Sequence, residues 1–162
     1  MPAACTFMLN KRPMSTLACP GFGNVQAFSG NQRYINDPDS TRLEDAGPLP
    51  KGIYFIIDRE SGGHLGWLYD AVKDAVAGTH RDAWFALYRD DGKLDDHTFI
   101  EGMQRGHFRL HPVGRLGESD GCITLPSLAQ FNALRTYLKI KSQSPAFLPG
   151  TATRYYGTVK VE

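Results

Sequence analysis

Residues 111 to 125, HPVGRLGESDGCITL, bring a histidine, a serine, an aspartate and a cysteine into one glycine-rich turn that ends in an apolar alternation. A cysteine nucleophile needs a base within reach, a small neighbour so that a carbonyl can approach, and N–H donors for the oxyanion. His111 ends one predicted strand, HFRLH, and Cys122 begins the next, so if the two strands are neighbours both side chains emerge at one edge. Gly121 removes the side chain that would block the carbonyl, and the amides around 120 to 122 are placed to receive an oxyanion. An ordinary thiol with a pKa near 8.5 is only a few per cent thiolate at about pH 7, whereas a histidine partner that lowers it by ~2 units makes it mostly thiolate. Free cysteine is also among the most buried residue types, so spacing alone favours Cys122 as a small buried hydrophobe. A zinc site from His107, His111 and Cys122 would ligate the thiolate permanently, and no Cys-x-x-Cys or His-Glu-x-x-His pattern supports it, so no metal or cofactor is expected.

The elements that must hold these residues read as mainly β with two helices. CTFML and MSTLACPG flank the turn-forming NKRP, which predicts a hairpin over residues 4 to 19 with Cys5 and Cys19 equidistant from the turn. GIYFIIDRE, AWFALYRD and RYYGTVKVE are strands by their β-branched and aromatic content. In HFRLH the alternation puts Phe108 and Leu110 on one face and His107, Arg109 and His111 on the other. Cys122 then starts a strand whose Ile123 and Leu125 face the core, so its side chain points away from that core. GWLYDAVKDAVAG predicts one helix, and a capping box from Ser127 to Gln130 opens a second whose buried stripe is Phe131, Leu134 and Leu138. Trp84 is expected in the core. Residues 20 to 50 are rich in Gly, Asn, Asp, Ser and Pro and read as a loop-rich cover near the cleft, with one short strand around Val25 to Phe28.

A chain of 162 residues is one domain's worth and buries about 70% of its unfolded surface without cross-links. Its 18 basic and 17 acidic residues contain no block of like charge, which argues against nucleic acid or a polybasic membrane surface as partner. No apolar stretch is long enough to span a bilayer, and the short apolar run near the start lacks a preceding basic region, so a secretory signal peptide is not expected. Three cysteines leave at least one thiol over, and Cys122 is the natural one to stay free. Cys5 and Cys19 either close a cross-strand disulfide in an oxidising compartment or remain two reduced apolar residues.

RGHFRLHPVGRLGESDGCITL resembles the signature of the YkuD-type L,D-transpeptidases, a strand-end His followed by a loop and then Ser-His-Gly-Cys and an apolar residue. AFSGN, NDP, GPLPKGIYFIIDR, WFALYRDDG and RLHP extend the likeness over most of residues 20 to 162, toward the divergent branch used as toxic type VI secretion effectors. The resemblance implies a single domain over 1–162 built as a β-sandwich or partly closed barrel, with 1–50 as hairpin and cover and 51–162 as catalytic core. It implies Cys122 as nucleophile, His111 as base, and Gly121 with its neighbouring amides as the oxyanion hole. Asp120 stands where the family has its second histidine, and the His-to-Cys spacing is shorter than in housekeeping enzymes, which implies a more open cleft. The implied reaction is attack on the L,D bond between diaminopimelate and the terminal D-alanine of a peptidoglycan tetrapeptide stem, as carboxypeptidase or transpeptidase. Arg109 and Arg115 are candidate anchors for stem carboxylates, with an ion pair, for instance to Asp120, as the alternative, and Ser119 bonds either substrate or loop. The implied partners are peptidoglycan stems, a cognate immunity protein and the secretion apparatus, with action in the periplasm of target bacteria. The rival readings are a papain-like cell-wall cysteine peptidase and a catalytically silent peptidoglycan-binding module.

Overall fold

The computed structural model describes residues 2–59, 83–114, 121–141 and 146–162. The helix expected from Trp67 to Gly78 therefore lies outside the described residues, as do Arg115, Ser119 and Asp120. The chain opens with β1 (Ala3–Phe7), β2 (Ser15–Cys19) and β3 (Gly23–Ala27), followed by two single-turn 3-10 helices at Gln32–Tyr34 and Pro38–Ser40. Then come β4 (Gly52–Asp58), β5 (Phe85–Arg89), β6 (His97–Ile100), β7 (Met103–Gly106), β8 (Arg109–Pro112) and β9 (Ile123–Leu125). The helix α1 (Leu128–Lys141), β10 (Ala146–Phe147) and β11 (Arg154–Val161) complete it.

One large sheet runs in the order β3-β2-β1-β11-β4-β5-β8-β9, with β10 added beside β11. β1–β11 and β8–β9 are parallel and the other neighbours antiparallel. Phe28 and Thr124 close the two ends of this order by exchanging two backbone hydrogen bonds of 2.9 Å, so the sheet curls into a nearly closed barrel. Mainly β with one described helix in a single domain is the observed architecture, in agreement with the barrel expectation. β4 is buried on both faces: Tyr54 and Ile56 join the large core, while Phe55 and Ile57 meet Ala86 and Leu148 in a smaller outer cluster.

The predicted hairpin forms with Thr6 opposite Ala18 and Phe7 opposite Leu17, a register that sets Cys5 against Cys19. The two sulfurs are joined, their Cα atoms 4.3 Å apart, which decides between the alternatives left open above. α1 begins where the capping box predicts, with Ser127 Oγ accepting from the Gln130 amide at 3.2 Å. Phe131, Leu134 and Leu138 bury its inner stripe against the barrel. Lys139 ties its far end to β4 and β11 by donating to Asp58 and to the Tyr156 hydroxyl.

Three departures from the sequence reading matter for the site. HFRLH is not one strand: His107 has φ of 56°, a left-handed backbone that breaks the alternation, and β8 starts only at Arg109. A β6–β7 hairpin, not anticipated, stands as its own two-stranded sheet on a turn in which Glu101 and Gly102 both have positive φ (49° and 79°). Residues 20 to 50, expected as a loop-rich cover, contribute β3 to the barrel wall before the chain loops out and bring Glu44 and Asp45 to the lining of a cleft.

Candidate active site

β8 and β9 pair in parallel with Leu110 opposite Ile123 and His111 opposite Thr124. Since side chains alternate along strands, Leu110 and Ile123 enter the core while Arg109, His111, Cys122 and Thr124 share the other face. His111 and Cys122 then line one cleft of about 610 Å³, together with Trp84, Arg105, His107 and Arg109, and with Glu44 and Asp45 from the cover. The topology thus brings the predicted nucleophile and base to one edge of adjacent strands.

The imidazole of His111 is held on three sides. Nδ1 lies 2.6 Å from the Pro112 carbonyl oxygen, which only accepts, so Nδ1 carries the hydrogen and Nε2 is the basic nitrogen. Thr124 Oγ1 lies 3.3 Å from that Nε2. Trp84 stacks on the ring, centroids 4.3 Å apart and planes 21° from parallel, so the tryptophan expected in the core is a wall of the cleft. Cys122 Sγ faces the His107 carbonyl oxygen at 3.9 Å, a long contact that loosely orients the thiol. The left-handed backbone at His107 lies beside the acceptor of that contact, while its own ring meets Asp96 at 3.2 Å and the edge of His97.

Gly121 has φ of 82°, and a Cβ there would collide with the Arg105 guanidinium and press on the Phe108 ring. A glycine is required at this position on both counts. Arg105, from β7, was not singled out in the sequence: it is a fully buried arginine whose Nη1 donates to the Thr41 and Pro48 carbonyls and whose Nη2 donates to Gly47. Burial lowers its pKa, offset in part by attraction from Tyr54, Cys122, Glu44 and Asp45. Arg109, expected as a carboxylate anchor, is instead bound in a fork by Asp96, with Nη1–Oδ1 and Nη2–Oδ2 both 2.7 Å. Burial pulls its pKa down, but Asp96 and then Cys122 outweigh this and hold it above the ordinary arginine value. The ion-pair alternative thus holds for Arg109, with Asp96 from the β5–β6 turn as its partner.

Comparison with known families matches residues 23–146 to the Tlde1 domain, a stretch that runs from β3 to the start of β10 and contains His111, Gly121 and Cys122. The chain belongs to the Tlde1 family. No curated protein and no solved structure matches. Membership of the Tlde1 family makes the chain a type VI secretion antibacterial effector, a protein secreted into target cells. The first 22 residues, which carry β1, β2 and the disulfide, lie outside the match to the Tlde1 domain. Among the described residues no helix is long and apolar enough to cross a membrane.

Proposed function

We propose that this effector is a cysteine acyl-transfer enzyme that acts on peptidoglycan stems at the L,D bond between diaminopimelate and the terminal D-alanine. The observation that carries the reading is the pairing of β8 with β9, which puts His111 and Cys122 on one sheet face and in the lining of one cleft, with the His111 Nδ1 engaged by the Pro112 carbonyl and Nε2 left as the ring's acceptor. Nε2 takes the thiol proton, and the thiolate forms a bond to the scissile carbonyl carbon. The Gly121 amide and its neighbours receive the negative oxygen. Collapse breaks the C–N bond, His111 returns the proton to the departing amine of D-alanine, and a thioester remains on Cys122. Water then gives a tripeptide stem, and the amine of a D-amino acid or of a second stem gives exchange or a cross-link. Ser119, Asp120 and Arg115, which precede Cys122 in the sequence, belong to this proposal as substrate contacts. The place of action is the periplasm, where stems are exposed, and the immunity protein that effectors of this family call for is expected to block this cleft.

The papain-like alternative is less well supported, because Cys122 precedes a strand and follows the histidine in sequence. The test is a digest of purified muropeptides read by mass. Wild type should release D-alanine, while Cys122→Ala and His111→Ala, folded by circular dichroism, should lower release by at least about 10³-fold, the scale of losing a nucleophile or its base. Full release by Cys122→Ala would overturn the reading, and binding of stems without release would favour a silent binding module.

A further inference from the structure

Among the described residues Arg105 is a buried cation without a contacting anion, its guanidinium 5.4 Å from the centroid of the Phe108 ring. It is 2% exposed, its three hydrogen-bond acceptors are neutral main-chain carbonyls, and no described carboxylate lies within ion-pair distance of it. Arg109, a few residues on, has its charge cancelled by a two-pronged Asp96. Charges as buried as Arg105 are normally paired, since an uncompensated one is costly. A guanidinium has five N–H donors; three are spent on Thr41, Pro48 and Gly47, and the two left over sit on the adjacent nitrogens Nε and Nη2, the spacing that one carboxylate matches. Nη2 occupies the space a Cβ on Gly121 would take, so this edge abuts the residue before the nucleophile, and Arg105 forms part of the wall of the cleft that holds Cys122.

We propose that Arg105 is the carboxylate receptor of the cleft, binding the free carboxylate of the residue on the leaving side of the scissile bond. The identity of that residue rests on the function proposed above; the receptor itself rests on the buried guanidinium that no described carboxylate contacts. The enzyme is then exo-acting, accepting stems that end one residue past the scissile bond and rejecting those whose terminal carboxylate is capped or lies further on. Because the same guanidinium holds Thr41, Gly47 and Pro48, it also fixes the cover segment that brings Glu44 and Asp45 to the opening.

The experiment uses the full chain and alkylation of Cys122. In wild type, N-acetyl-D-alanine should slow carbamidomethylation by iodoacetamide, and N-acetyl-D-alaninamide should not. Anionic iodoacetate should be favoured over iodoacetamide by about tenfold relative to glutathione, the scale of one added charge contact. Arg105→Gln should abolish both preferences; should it fail to fold, the wild-type arms decide alone. Equal protection by acid and amide, or protection by neither, overturns the proposal. In the digest, equal kcat/KM for a tetrapeptide and its C-terminal amide overturns the receptor but leaves the proposed function standing. Selective protection by the acid in a protein that releases no D-alanine does the reverse.

Discussion

At the level of single residues, Gly121 carries two constraints at once. Its φ of 82° is a left-handed conformation, and the space at its α-carbon is occupied by Arg105, which three carbonyls hold in place. Gly121→Ala should therefore lose about 1–3 kcal/mol of stability in urea denaturation, the scale of a strained backbone residue. D-alanine release should fall further than the stability loss accounts for, because the amides proposed to receive the oxyanion move together with Arg105. That His111 and Cys122 would meet in one cleft was legible in the sequence because their types and order suggest a chemistry locally. Arg105, Thr124 and the Pro112 carbonyl were not, because each acts through a partner that only the barrel brings near. Arg105 lies 57 residues from Pro48, whose carbonyl it bonds, and no periodicity within MQRG marks it as buried. Arg109 shows the opposite failure: its charge suggested a substrate, but Asp96, set by the turn after β5, reached it first.

At the level of elements, the hairpin β1–β2 is closed twice, by its ladder and by the Cys5–Cys19 bond. Closing a loop with a sequence separation of 14 stabilises by about 3 kcal/mol through the unfolded state, so reduction should lower the urea midpoint accordingly without changing the fold. Thiol titration of denatured, unreduced protein should find one reactive thiol, and three after reduction. The hairpin was readable from its turn and spacing; the bond was not, because spacing does not reveal redox state. β6 and β7 were missed since their residues mix charge and apolar side chains without a clean alternation, and the left-handed Glu101–Gly102 turn is what pairs them. α1 is fastened by Asp58, which accepts from Lys139 and from Tyr156. Burial pushes the Asp58 carboxyl up, but the hydrogen bonds from Lys139 and Tyr156 outweigh it and hold its pKa below the ordinary carboxylate value. A depressed folded pKa means that the contribution is present above the unfolded carboxylate pKa and is lost as pH falls through the folded one. The side chain is more than half exposed, so Asp58→Asn should cost about 0.5 kcal/mol or less at neutral pH, and the cost should vanish as acid protonates the folded-state carboxyl, measured as the difference between two urea titrations.

At the level of the whole molecule, the barrel is legible as a class from its strand content, but its closure is not, since Phe28 and Thr124 lie in segments that sequence reading assigned to a cover and to a catalytic strand. That closure has a consequence for how the protein loses activity. β4 and β11 are held through six register pairs, whereas β3 meets β9 at a single isolated bridge, so the seam is where the ring opens first. The Thr124 that makes the bridge also contacts His111 Nε2, and its chain neighbour two positions back is Cys122. In hydrogen–deuterium exchange the Phe28 and Thr124 amides should exchange by local fluctuation, well ahead of Val159 in β11; exchange of all three at one global rate would contradict this. On warming, inactivation should set in below the melting temperature, because the weakest join of the ring and the orientation of its histidine are lost in the same motion.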